Sequence, residues 1–475
     1  MRRTLVAGML TVCCLVAQGQ PDAWKDDPVL SSMAAEIERA KALENIAKDK
    51  PYFIEHVLYE GNQWNFAATL GALVNTTQSD FRMPEIQVRV GSYDFDQSNY
   101  VRGITTAQIG GFPLENVPPV MRHRLWMGTD LALEMGLETL ARKRAALESV
   151  TLTEQLPDYS PVQPMVLLTQ GTRRPVDETQ WTERLKRLSN VFRGFPSLQR
   201  SSVRLQDNHN VFYLANNEGT RLRLVEPIRM LTAQLETQAA DGIRVRNSAG
   251  YYRREGDFPA DAELTATMQA LGKSVAELAQ APLGEAYVGP VLFEGEASAQ
   301  MFAQLLGENL VLRRNPVPEP GRNFPMPDSE LSGRKGLRVL PDWINVEDDP
   351  TRSQWDSQPL IGHYAADLEG VAPKPLKVVE KGVLKEFLLT RQPVKDFRQS
   401  NGRARLPGAF GTRQAAFSHL IVQATETVSR EKLREQFLTL LKDRGREWGV
   451  IVRKLDYPSM APPSELRALL SPGGS

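Results

Sequence analysis

The 475-residue sequence predicts an α+β fold. Three observations lead there. Strand patterns fall in groups, over residues 52–90, over 201–253 and again over 337–423. Helical patterns stand between these groups and do not alternate with single strands, as they would in a doubly wound sheet. The composition, 41% hydrophobic and 24% charged, is that of a soluble globular chain. At roughly 150 residues per domain the length suggests about three domains or subdomains.

The elements follow in order. Arg2 and Arg3 precede an uncharged apolar run over 5–17, and Ala17-Gln18-Gly19 places small residues at alternate positions. This predicts a secretory signal over 1–19, too short to span a bilayer. The expected location is therefore exported, periplasmic or extracellular. Cys13 and Cys14 both lie inside that segment, so the mature chain has no disulfide and no thiolate for a metal. No later segment is long and apolar enough for a transmembrane helix.

Met33, Ile37, Ala40, Leu43 and Ile46 recur at helical spacing, so 27–49 reads as a helix ended by Pro51. Residues 52–59 and 66–74 read as strands. Over 85–90, Ile86, Val88 and Val90 alternate with polar residues, as in a half-exposed strand. A long helix spans 119–147. Its closing Arg142-Lys143-Arg144 is most simply a complement to the helix dipole. A proline-containing connector covers 157–164, and a helix 179–191. The strands of 201–253 are broken by the turn residues Asn216-Asn217-Glu218-Gly219 and Ala249-Gly250. Residues 261–280 are helical, with Ser274 to Glu277 spaced as a capping box.

Beyond Pro282, 288–293 is an apolar strand and 297–306 a helix. Residues 316–327 are a Pro/Gly-rich loop. Strands are predicted at 337–346, 377–380, 383–389 and 419–423, with Lys381-Gly382 as a hairpin turn. Residues 430–443 form an amphipathic helix, 448–455 a closing strand, and 461–475 a frayed tail.

Several stretches together resemble the TldD/PmbA metallopeptidase-related family (the modulator of DNA gyrase family). They are Lys50-Pro51-Tyr52-Phe53-Ile54, Val88 through Asp96, Arg122 through Asp130, Ala141 through Leu147, Lys381 through Leu388, Asn401-Gly402-Arg403-Ala404-Arg405, Ser418 through Val422 and Gly449 through Leu455. Their order spans nearly the whole mature chain. The resemblance implies an N-terminal helix-on-sheet domain over 27–225 and a mostly β, metallopeptidase-type domain over 226–460.

Active relatives carry HExxxH on a helix after an apolar strand, where two imidazoles hold zinc and the glutamate activates its water. The matching stretch here is Val291 to Ala299. Glu294 stands at the first histidine, Gly295 at the glutamate and Ala299 at the second histidine. Glycine and alanine have no donor atoms. The resemblance therefore implies a PmbA-like pseudoenzyme without HExxxH. It implies no cofactor here, with zinc expected in active relatives only.

The five histidines, His56, His123, His209, His363 and His419, include no close pair. Each reads first as a hydrogen-bonded histidine. Glu296, His363 and His419 are the remaining candidates for a cleft, or with Glu294 for a rebuilt metal site. Glu294 and Glu296 also fit as carboxylates favoured at a helix N-terminus. Asp342, Glu347, Asp348 and Asp349 read as a solvated acidic loop, since the Asp-x-Asp-x-Asp-Gly calcium pattern is absent. Trp343 and Trp355 read as core-edge residues or as groove walls. GxGxxG, Walker A and GxSxG are absent.

The expected function is an exported protein of peptide or protein processing, acting as a non-catalytic subunit. By the resemblance it forms a homodimer, or a heterodimer with a zinc-bearing TldD-like relative, around a peptide substrate. The balance of 57 basic against 57 acidic residues argues against nucleic acid as a partner, and no integral membrane segment is expected in the mature chain. Two alternatives stay open: an active metallopeptidase with a rebuilt metal site, and a non-enzymatic peptide-binding protein of the cell envelope.

Overall fold

A computed structural model describes residues 22–41, 49–150, 154–171, 173–319, 321–407 and 411–455. The expected signal at 1–19 and tail at 461–475 lie outside these residues, as does 42–48 of the first predicted helix. The fold is α+β.

Helix α1 (Pro28–Ala40) starts where Asp27 accepts the N–H groups of Val29 and Leu30 at 2.9 and 3.0 Å. Proline at its first position loses no needed donor. Pro51 opens β1 (Pro51–Thr69). Strands β1 and β2 (Ala72–Val90) form one hairpin, each 19 residues long. The sequence reads 66–74 as a single strand, but the chain reverses there, with Leu70 at φ 47° and Gly71 at φ 82°. A leucine in the left-handed region is not a usual turn signal.

Next come β3 (Thr106–Gln108), α2 (Pro118–Leu147), β4 (Val166–Leu168), α3 (Glu178–Asn190), β5 (Arg200–Asn216), β6 (Arg221–Gln238), β7 (Arg244–Arg253) and α4 (Asp261–Leu278). One sheet takes the order β3-β2-β1-β5-β6-β4, with β7 also on β6. The predicted turn at Gly219 is present (φ 109°). The predicted break at Ala249-Gly250 is not: both lie inside β7, opposite Ala233 and Thr232, and the chain reverses near Gly242. Ser274 lies inside α4 and caps nothing; its hydroxyl accepts from Asn247 Nδ2 at 3.0 Å.

Period-two alternation gives this sheet two different faces. Ile54 and Leu58 of β1 pack with α1 and α2, and Phe66 and Ala68 with α3 and α4. The opposite face carries Val57, Phe212 and Leu214, which pack against Ala366 of the C-terminal part. Residue 226, where sequence reading divides the chain, lies within β6 opposite Asn210.

The C-terminal part holds β8 (Val291–Phe293), α5 (Glu296–Leu306), β9 (Ile344–Asp348), β10 (Gln354–Trp355), β11 (Gln358–Pro359), β12 (Leu376–Glu380), β13 (Val383–Leu384), β14 (Ala404–Pro407), β15 (Arg413–Ala415), β16 (Leu420–Ala424), α6 (Arg430–Asp443) and β17 (Val450–Val452). Its main sheet runs β13-β12-β9-β16, while β8 and β17 pair in parallel. Lys381-Gly382 makes the expected hairpin turn. A Cβ on Gly382 would lie 2.2 Å from the Leu340 carbonyl oxygen, so only glycine fits. The predicted strand at 337–346 overlaps β9 only from Ile344, and that at 383–389 shortens to β13.

Two charge readings are corrected by packing. Lys143 does not sit at a solvated helix end. It is buried, and its Nζ donates to Asp158 at 2.6 Å and to the carbonyls of Asp96 and Ser98. Asp348 is not in a solvated loop. It is buried in β9 and accepts from Arg403 Nε at 2.9 Å and from the Ser418 N–H at 2.7 Å.

Candidate functional site

The junction of β8 and α5 holds the positions that the family resemblance singles out. Parallel pairing sets Phe293 opposite Val452, and the Glu294 N–H donates to the Val452 carbonyl at 2.8 Å. Gly295 then turns the chain at φ 57°, ψ −123°, a conformation that disfavours any side chain. The helix begins only at Glu296. Glu294 and Gly295 therefore precede the helix, and Ala299 sits exposed on it.

Glu294 is a hub. Its Oε1 accepts from Arg434 Nε at 2.9 Å. Its Oε2 accepts from Arg430 Nη2 at 3.0 Å, from Arg434 Nη2 at 3.2 Å and from Arg453 Nε at 3.4 Å. The bonds from Arg434 and Arg430 hold the Glu294 carboxyl down at about 2. The side chain is 7% exposed, covered by the arginines around it and not sunk in the core. Glu296 points outward to Lys454 at 3.6 Å and Gln300 at 3.3 Å.

These residues do not fit a zinc ion. Zinc needs several anionic or neutral donors at about 2 Å. Gly295 and Ala299 offer no donor atom. Both oxygens of Glu294 are engaged by guanidiniums, and three cations around one carboxylate repel a divalent ion.

His363 and His419 lie together elsewhere. His419 Nδ1 donates to the Asp349 carbonyl at 3.0 Å, and its Nε2 accepts the Gly362 N–H at 2.9 Å. Both ring nitrogens are thus used to tie the 360–363 loop to β9 and β16. His363 Nδ1 lies 3.0 Å from the Leu360 carbonyl. Burial and the neighbouring Arg254 push its imidazole below the ordinary histidine range. The structure brings Glu294 and Glu296 to one place and the two histidines to another. Among the described residues no group of three or more His, Cys, Asp or Glu could hold a metal ion.

Sequence reasoning missed the polar seam between the large sheet and the C-terminal part. The guanidiniums of Arg89 and Arg391 approach the Tyr159 ring at 3.9 and 4.1 Å. Arg391 bonds Glu218 and the Ser160 carbonyl, and its N–H donates to Glu369 at 2.6 Å. Burial pushes Glu55 up to about 8 and Asp367 up to about 7. Beside this seam is a small open cleft of about 50 Å³ walled by Asn99, Arg314, Leu389, Gln392 and Arg413. Burial of charge depends on which chain segments meet, so no local pattern signalled these residues.

Comparison with known proteins defines the class first. Residues 286–453 match the family model described as the PmbA/TldA metallopeptidase C-terminal domain. The C-terminal part is thus a metallopeptidase-related domain. Residues 286–453 carry a C-terminal domain of the PmbA/TldD type. No curated protein matches it. Among solved structures it is similar to a candidate modulator of a DNA gyrase from Thermotoga maritima, at 16% identity over 85% of this chain and 80% of that one, TM-score 0.53. A candidate modulator of DNA gyrase from Bacteroides thetaiotaomicron aligns at 12% identity over 84% and 78%, TM-score 0.52. TldE from Thermococcus kodakarensis aligns at 12% identity over 85% and 79%, TM-score 0.49. At these identities the first two likenesses establish the fold.

Among the described residues no helix is long and apolar enough to cross a membrane.

Proposed function

We propose that this chain is an exported, non-catalytic member of the TldD/PmbA family. It works in peptide or protein processing as the partner of a zinc-bearing TldD-like relative. The observation that carries this reading is the Glu294 hub. Where the family resemblance sets metal donors, one carboxylate is held by Arg430, Arg434 and Arg453. Positive charge that an ion would bring is supplied by side chains. Cleavage chemistry that needs an activated water has no base at Gly295 and no ligand at Ala299.

The test is metal analysis of the purified chain, with peptidase assays alone and after mixing with a zinc-bearing relative. The expected result is no stoichiometric zinc, no cleavage alone, and a complex with the relative. Stoichiometric zinc that disappears in Glu294→Ala or His363→Ala overturns the reading. Capture of unprocessed peptides without any peptidase partner supports an envelope binding role instead. Cell fractionation tests export.

A further inference from the structure

The charge of this chain is balanced overall but not locally. Residues 430–455 carry eight basic side chains against four acidic ones. Within them Arg430, Arg434 and Arg453 converge on Glu294 with 66%, 44% and 71% of their side chains exposed. One carboxylate has two oxygens, whereas three guanidiniums carry fifteen N–H donors. Only four of those contacts reach Glu294. The hub therefore orients the three forks while leaving most of their donors without a partner among the described residues. Glu296 and Glu431 stand nearby as the other acidic groups, and Lys454 and Lys432 as further cations.

Beside this cluster is an apolar ledge. Helix α6 buries only Phe437 and Leu441. Leu433 and Leu440 lie on the same flank, seven residues apart and therefore two turns along the helix, and both are exposed. Leu433 stands one turn beyond Arg430, close enough for one bound segment to touch both.

We propose that this surface docks an acidic peptide segment, with a carboxylate on the outward donors of Arg430 and Arg453 and an apolar side chain on the Leu433–Leu440 ledge. Carboxylate is the chemistry the cluster already accepts, since Glu294 shows how the guanidiniums receive one. The apolar ledge favours a peptide over a bare polyanion. This deepens the reading of the chain as a peptide-handling partner, but it does not depend on the metal content that tests that reading.

The experiment uses the full chain and a fluorescein-labelled Glu-Leu-Glu-Glu-Leu-Glu peptide, followed by anisotropy. Its glutamine counterpart and inorganic phosphate serve as controls. The expected result is saturable binding, weakened roughly fivefold or more in the surface variant Arg430→Gln/Arg453→Gln and again with the glutamine peptide. Leu433→Ser weakens the acidic peptide without abolishing it. The proposal is overturned by no binding, by equal binding of the two peptides, by a double variant that binds unchanged, or by phosphate displacing the peptide at equal charge. Circular dichroism of each variant separates lost docking from lost folding.

Discussion

Arg391 grips Glu218 through two nitrogens, Nη1 at 2.8 Å and Nη2 at 2.6 Å. The pair joins the C-terminal part to the β5–β6 turn of the large sheet, and Arg391 is fully buried. Removing one partner leaves the other charge uncompensated. Arg391→Ala is therefore expected to destabilise the fold by about 3–5 kcal/mol. Arg391→Lys should recover only part of this, because an ammonium cannot make the forked contact. Urea unfolding monitored by fluorescence measures both.

Glu55 supplies a pH dependence with a definite sign. Its carboxyl is raised from 4.5 to about 8, first by burial. Arg413, Arg391, Glu369 and Glu85 face it, and its Oε2 has no hydrogen-bond partner among the described residues. A carboxyl that holds its proton more tightly when folded contributes stability that is full below about 4.5 and lost as pH rises toward 8. Asp367 acts in the same direction, up to about 7. Tm should fall across this window, and Glu55→Gln should flatten the slope. A wild-type Tm that rises from pH 5 to 8 in parallel with the variant contradicts the assignment.

Three adjacent basic residues should behave differently. Lys143 is buried against Asp158, so Lys143→Ala is expected to cost about 3–5 kcal/mol. Arg142 pairs with Glu138 at the surface, so Arg142→Ala should cost at most about 1 kcal/mol. Arg144, with Asp49, should resemble Arg142. Parallel denaturation curves of the three variants decide the matter.

Writing an HExxxH pattern into the β8–α5 junction should not create a metal site. In Glu294→His/Gly295→Glu/Ala299→His, the first two residues still precede the helix, and Arg430, Arg434 and Arg453 still surround the site. The expected zinc content by mass spectrometry is well below one per chain. Gly295→Ala alone should cost about 1–3 kcal/mol, because φ 57° with ψ −123° is a region that residues with a Cβ rarely adopt.

Much of the molecule was legible along the chain. Helices α2, α3 and α6 appear within a residue of their predicted bounds. The Lys381-Gly382 turn was visible in its residue types. The β1–β2 turn was not, since Leu70 adopts a left-handed conformation only because two long strands pair on either side of it. Similarly, Lys143 and Asp348 look like surface charges until their partners arrive from elsewhere in the chain.

The candidate site divides in the same way. The absence of side-chain donor atoms at Gly295 and Ala299 is a property of those residue types alone. What replaced it required β17 to lie parallel to β8 and α6 to pack beside both, bringing Arg430, Arg434 and Arg453 from more than 130 residues downstream onto one carboxylate. Local sequence determines which atoms a residue can offer and which backbone it prefers, because those depend on its own covalent structure. Only tertiary packing decides which charges share a desolvated space, because that depends on chain segments that meet nowhere in the sequence.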